Sequence, residues 1–218
     1  MAGETIKSEG VCLAIHPFSR TSHIVRWLTP EGKVTTIVKG AERPKSFFLG
    51  QYDLNYTCEI VYYARAKGEV HVLRDAVPID AREYLRDDYR RLIAAEYFRA
   101  RIDEFASVGD EARAWYELLV SSFGGDDLKA LLAFDIKVLR LLGQMPSIKA
   151  EGGSLTLRGE RTIPVSREVA SCIWDVENEK FSKFLLDADR VISVYYQFCV
   201  DGEVEFRRSV QKIISKPR

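Results

Sequence analysis

A short, turn-rich stretch gathers positive charge in this sequence. In VKGAERPKS (38–46), Lys39, Arg43 and Lys45 surround Gly40 and Pro44. Gly40 permits a sharp turn and Pro44 stiffens the loop, so the cations are held where a polyanion can meet them. Each phosphate neutralised in this way releases a counterion, which favours binding at low salt. The wider stretch 20–45 adds Arg20, Arg26 and Lys33 against only Glu31 and Glu42, a local excess of four positive charges. A solvated strand surface carries charges too, so the excess alone does not identify a ligand. Phe18, Trp27, Phe47 and Phe48 lie nearby in the sequence, and single-strand binders stack bases on such rings. Trp27, with apolar Val25 and Leu28 beside it, reads as core. Phe47 and Phe48 fit stacking and packing equally.

Patterns for catalysis are missing. The sequence holds no GxGxxG, phosphate-binding loop, GxSxG or HExxH. His16, His23 and His71 fall in the strand-rich part without a partnered nucleophile, and read as strand or turn histidines. Asp87 and Asp88 are neighbours on a predicted helix, where adjacent side chains point apart, so they read as a solvated face and not as an acid/base pair. Cys12, Cys58, Cys172 and Cys199 form no CxxC pair and read as buried thiols of a reducing compartment. The expectation is a binding protein, not an enzyme, with no metal and no cofactor.

The elements that must position the cations follow from the hydrophobic pattern. Residues 5–79 alternate with period two: Val11, Leu13 and Ile15 in one run, HIVRWLT in the next, Val34, Thr36 and Val38 in the third. TPEGK (29–33) suits a tight hairpin. YDLNYTCEIVYYAR (52–65) and EVHVLRDAV (69–77) complete five strands, enough for a small barrel that hides its edges. The period changes near Pro78. With Asp80 as a candidate N-cap, Leu85, Tyr89, Leu92, Ile93, Tyr97, Phe98, Ile102 and Phe105 form one apolar stripe on a long helix. A second helix carries Ala112, Trp115, Leu118, Leu119 and Phe123, and a third runs from Asp126 to Leu142 with Gly143 as its stop. Residues 149–165 return to alternation as a short hairpin, and helix resumes after Ser166. The fold expected is α+β: a five-stranded antiparallel OB-type barrel over 1–79, then an all-helical domain over 80–218 with a hairpin insertion.

Composition agrees with a folded chain: 46% of the 218 residues are hydrophobic and 29% charged. Net charge is zero, but 1–79 carries 10 basic and 8 acidic residues, 80–145 carries 10 and 13, and 146–218 carries 12 and 11. The polar start MAGETIKSEG lacks an apolar signal core, and no apolar run reaches the roughly 18 residues of a membrane span. The expected location is the cytoplasm.

Three stretches resemble the bacterial recombination mediator family RecO. They are EGVCLAIHPFSRTSHIVRWLTPEGKV (9–34), IVKGAERPKSFFLGQYDL (37–54), similar to the family's basic KGARRPKS loop, and FDIKVLRLLGQMPSI (134–148), similar to the end of its last bundle helix. The resemblance implies an OB barrel and a helical domain. It further implies binding of single- and double-stranded DNA, annealing of complementary strands, and action with RecR in loading RecA onto DNA coated by single-strand-binding protein, in the nucleoid. The nucleic-acid-binding role then falls on Arg20, Arg26, Lys33, Lys39, Arg43 and Lys45. An apolar groove edged by Arg90, Arg91, Lys137 and Arg140 is expected for the acidic tail of the single-strand-binding protein. A different OB module, binding RNA or a protein partner without annealing, is the competing reading.

The chain departs from the family pattern at two points. Glu42 stands where the family loop commonly has a second arginine, which should weaken phosphate affinity. Many relatives carry four zinc-binding cysteines after the LLG…P ending, whereas KAEGGSLTLRGERTIPVSREVASC contains only Cys172. The hairpin at 154–165 is therefore expected to do by strand pairing what zinc would otherwise do.

Overall fold

The structure is a computed structural model and describes residues 4–65, 68–106, 111–151, 154–158, 162–176, 181–199 and 204–215. The chain divides into two compact units, Met1–Phe123 and Gly124–Arg218.

In the first unit, five strands close a barrel in the order β1-β2-β3-β5-β4. They are β1 (Thr5–Ser19), β2 (Ser22–Thr29), β3 (Gly32–Val38), β4 (Thr57–Tyr63) and β5 (Val70–Asp80). The expected OB-type barrel is present, with one refinement. Four of its pairings are antiparallel, while β3 and β5 close it in parallel through Thr35↔Val70, Thr36↔His71 and Ile37↔Val72. The long β1 serves two neighbours, pairing β4 from Thr5 to Val11 and β2 from Val11 onward, with a register shift between Cys12 and Ala14. Such an irregularity lets one strand turn a barrel corner. Gly10 sits at that corner, where an added β-carbon would lie 3.3 Å from Ile60 and 3.4 Å from Trp27. The interior is filled by Cys12, Val25, Trp27, Val38, Cys58, Ile60, Leu73 and Ala76. Trp27 is fully buried, as its apolar neighbours suggest, and its indole N–H donates to Thr36 Oγ1 at 2.9 Å.

Helices α1 (Tyr84–Asp87), α2 (Tyr89–Phe105) and α3 (Ala112–Ser122) belong to the same unit. The single long helix expected from Asp80 is broken. Asp80 ends β5, and its carboxylate accepts from the Arg82 backbone N–H. Asp88 is extended and caps α2 by accepting from the Arg90 N–H at 2.9 Å. A side chain that satisfies a free helix-start N–H competes with the continuing helix, and here it prevails. Asp88 is thus a cap, not part of a solvated helix face. Arg82, in the left-handed region, is buried over the Phe123 ring at 4.1 Å and donates to Asn55 O and Thr57 Oγ1, tying this junction to the barrel.

In the second unit, α4 (Leu128–Leu141) is capped by Asp127 and stopped at Gly143, whose φ of +67° suits glycine. The stretch around 149–165 holds the expected antiparallel pairing with one strand more: β6 (Ser147–Glu151), β7 (Ser154–Arg158) and β8 (Thr162–Val165) form a small sheet. Helices α5 (Arg167–Trp174), capped by Ser166, α6 (Leu185–Cys199) and α7 (Val204–Ile214) follow. The fully buried Asp135 of α4 meets Arg207 of α7 at 2.6 Å, and the same guanidinium reaches Asp189 of α6 at 2.8 Å and Ser193 Oγ at 2.6 Å. Among the described residues, no helix is long and apolar enough to cross a membrane.

Candidate nucleic-acid interface

The cationic stretch forms an ordered connection between β3 and β4. Consecutive tight turns build it: Arg43 N–H donates to Gly40 O, Ser46 to Arg43, Leu49 to Ser46 and Gln51 to Phe48, at 2.9 to 3.3 Å. Gly40, at φ +72°, starts the sequence of turns, and the Arg43 side chain lies over its open face. Side chains sort by chemistry. Ala41 is buried in the barrel core, and Phe48, Tyr52 and Leu54 pack against that core. Lys39, Arg43 and Lys45 are exposed, and none pairs with an acidic group among the described residues. A backbone bond from Glu42 N–H to Thr21 O joins this connection to the β1–β2 turn, so Arg20, also exposed, sits at the same end of the barrel.

Two of the six expected cations are directed elsewhere. Arg26 of β2 contacts the Asp103 carboxylate of α2 at 2.5 Å, and Lys33 Nζ donates to the Asp103 backbone carbonyl at 3.0 Å. The latter contact suits a cation near a helix C-terminus. Burial pulls the Lys33 ammonium below its ordinary pKa, partly offset by Asp103. Both side chains leave the barrel strands on the face that α2 covers.

Glu42 does not point freely at solvent. Its carboxylate is hydrogen-bonded to His23 Nε2 at 2.8 Å, and His23 Nδ1 to the Tyr52 hydroxyl at 2.8 Å. A carboxylate only accepts, so Nε2 donates, and in the neutral ring Nδ1 accepts from Tyr52. Burial, then Cys12 and Glu42, push the Tyr52 phenol above its ordinary range, which keeps this donor protonated. His23 and Tyr52 are positioning residues that sequence reasoning missed, because their link to Glu42 depends on the loop folding back.

The aromatic residues separate cleanly. Phe48 is half-buried, with Tyr52 at 6.5 Å and Phe47 at 5.8 Å, all edge-on. Phe47 and Phe18 are 65% and 63% exposed, too open for packing to account for them.

The four expected partner-binding cations do not share one unit. Arg90 and Arg91 are half-buried on α2 in the first; Lys137 is half-buried and Arg140 exposed on α4 in the second. Arg140 donates to Trp174 O at 2.8 Å. A four-thiolate metal site does not fit the second unit. Cys172 is fully buried on α5, whose other buried residues are Val169, Ala170 and Ile173. No cluster of three or more His, Cys, Asp or Glu suited to a metal occurs among the described residues.

Residues 1–82 match the family described as recombination protein O N terminal. The DNA repair protein RecO of Rhodopirellula baltica is 31% identical over 136 residues, 60% of this chain and 50% of that protein. That of Roseiflexus is 24% identical over 174 residues (76% and 61%), and that of Symbiobacterium thermophilum 27% over 150 residues (65% and 58%). The chain therefore spans 50% to 61% of the length of these relatives.

Proposed function

We propose that the chain, whose residues 1–82 match the recombination protein O N-terminal family, is a non-catalytic recombination mediator of the RecO type in DNA repair. It binds single- and double-stranded DNA, anneals complementary strands and, with RecR, helps load RecA onto DNA coated by single-strand-binding protein. The work is done in the cytoplasm, at the nucleoid, and the barrel of residues 1–79 is the DNA-binding domain. One observation carries the reading: Lys39, Arg43 and Lys45 stand exposed, with no acidic partner among the described residues, on a connection ordered by its own turns. Groups on an ordered connection lose little entropy on meeting a phosphate backbone, and cations with no acidic partner among the described residues have no ion pair there to give up. Arg20 extends the same surface. Arg26 and Lys33 contribute to the field of the barrel but already hold Asp103.

The test replaces Lys39, Arg43 and Lys45 together with alanine. Binding to DNA should weaken at low salt, and the slope of log affinity against log salt should flatten by roughly 0.7 per lost contact on a single strand, about 2 in total. The loss should be independent of base sequence, because phosphate contacts carry no base information. The wild-type chain should accelerate annealing of complementary oligonucleotides. An unaltered salt slope in a folded triple variant would overturn the assignment of the loop. Equal affinity for RNA without annealing would favour an OB module of another kind.

A further inference from the structure

We infer that Phe18 and Phe47 are specificity-determining residues that stack on unpaired bases, so that this end of the barrel prefers single strands over duplex. The inference rests on the proposed DNA-binding reading and names what the same surface selects. Two large apolar rings, 63% and 65% exposed, are costly to leave in water, and both occur where the exposed cations gather. Phe18 is the second-last residue of β1, two positions before Arg20; Phe47 follows Lys45 by two. The turn after β1 and the connection after β3 are joined by the Glu42–Thr21 backbone bond, so both rings belong to one end of the barrel.

The Phe47 ring is held in place from below. It meets Phe48 edge-on at 5.8 Å, Phe48 meets Tyr52 at 6.5 Å, and Tyr52 meets the buried Trp27 at 6.0 Å. This ladder links a ring that is 65% exposed to the barrel core. The backbone N–H of Phe48 donates to Ser46 Oγ at 3.2 Å, fixing the chain at the ring's base. A preset ring face beside cations is what an unpaired base with its phosphate requires, since every base has a π-face. Paired bases in a duplex are already stacked on each other and offer no such face. Phosphates are common to both forms, so the cations do not discriminate and the rings do.

The experiment compares Phe18→Leu, Phe47→Leu and the double variant with the wild-type chain and with the Lys39/Arg43/Lys45 alanine variant. Probes are a mixed-sequence single strand, an abasic single strand of equal length, and the corresponding duplex. Leucine keeps apolar volume at exposed positions and removes only the ring. Each replacement should weaken binding to the base-bearing single strand by about fivefold or more and leave abasic and duplex binding unchanged. Phe47→Trp should retain affinity, with its fluorescence quenched by the single strand and not by the duplex. Equal losses on all three probes, or none, would overturn the stacking role. If only the phenylalanine variants behave as wild type while the alanine variant loses affinity, the stacking role fails and the DNA-binding reading stands. An alanine variant that binds as tightly as wild type removes the loop cations from the interface, and a wild-type chain that binds none of the three probes brings down both readings.

Discussion

The imidazole Nε2 of His23 lies 2.8 Å from the Glu42 carboxylate, and this contact changes the meaning of the one acidic residue in the cationic loop. Read in sequence, Glu42 is a charge placed against phosphate. In the fold it clasps the loop to β2 through a ring whose other nitrogen is held by Tyr52. Glu42→Gln keeps an acceptor for His23 and removes the charge. It should tighten DNA binding about twofold at low salt, the scale of one unit charge some 8 Å away in water. Glu42→Arg should bind DNA more tightly still, with a steeper salt slope, but lose about 1 kcal/mol of stability with the hydrogen bond. Titrations at two salt concentrations and melting curves check both. Equal stability in the two variants would show that the clasp holds nothing.

The barrel thiols give a pH prediction. Burial pushes the Cys58 thiol up to about 12, with Arg82 pulling slightly the other way, and raises Cys12 well above its usual range. Both are neutral at physiological pH, so iodoacetamide should leave them unmodified until the chain is unfolded. A raised folded pKa means that the native state holds the proton more tightly. The stability this confers is complete below the ordinary value of 9.0 and is lost as pH rises through about 12. Melting temperature should therefore fall between pH 9 and 12, and Cys58→Ala should shrink that fall. An identical alkaline profile in the variant would remove Cys58 from the account.

The buried charges of the second unit give a stability prediction. Arg207 is the cation between the carboxylates of Asp135 and Asp189 and also donates to Ser193. Arg207→Met preserves length but leaves two desolvated carboxylates without that partner. Removing one member of a buried ion pair costs about 3–5 kcal/mol. Urea unfolding should show a loss of that order, while Arg208→Met, at an exposed neighbour, should stay within about 0.5 kcal/mol. A loss below about 1 kcal/mol for Arg207→Met would mean that the carboxylates find other partners.

Zinc content gives a simple check. The region that would supply thiolates has Cys172 fully buried on α5, and β6, β7 and β8 pair there as strands. Purified protein should contain no stoichiometric zinc, and a chelator should leave its melting temperature unchanged. One zinc per chain by elemental analysis would contradict this.

What could be read in advance was set by how local each cause is. Period-two alternation marked all five barrel strands, and the Lys39–Lys45 loop was visible because glycine and proline impose turns whatever surrounds them. The parallel β3–β5 closure was not, since it joins strands separated by the whole connection from Lys39 and by β4. Nor was the break before α2: an unbroken apolar stripe and an Asp88 cap compete, and in the fold the cap prevails. Asp135 sits within FDIKV like any surface acid of a helix, and only the fold reveals Arg207 against it.

Arg26 and Lys33 show the same limit within the candidate site, and they carry the last prediction. Alternation puts Val25 and Trp27 inside the barrel and Arg26 outside, which reads as solvent until α2 arrives from 77 residues away. Asp103 then accepts Arg26 at its carboxylate and Lys33 at its backbone carbonyl. Arg26 remains 41% exposed at its side chain, so the pair is partly screened, and its loss should cost about 1 kcal/mol at most. Arg26→Ala should therefore lower the melting temperature modestly and leave the salt slope of DNA binding intact. Arg20→Ala should do the reverse, flattening the slope by roughly 0.7 with little change in stability. Asp103→Asn discriminates further, because it frees Arg26 without removing its charge. It should destabilise the chain as Arg26→Ala does, while DNA affinity holds or rises slightly as one negative charge disappears. If Arg26→Ala instead flattened the slope as much as Arg20→Ala, the face under α2 would have to open when DNA binds, and the two cations would rejoin the interface.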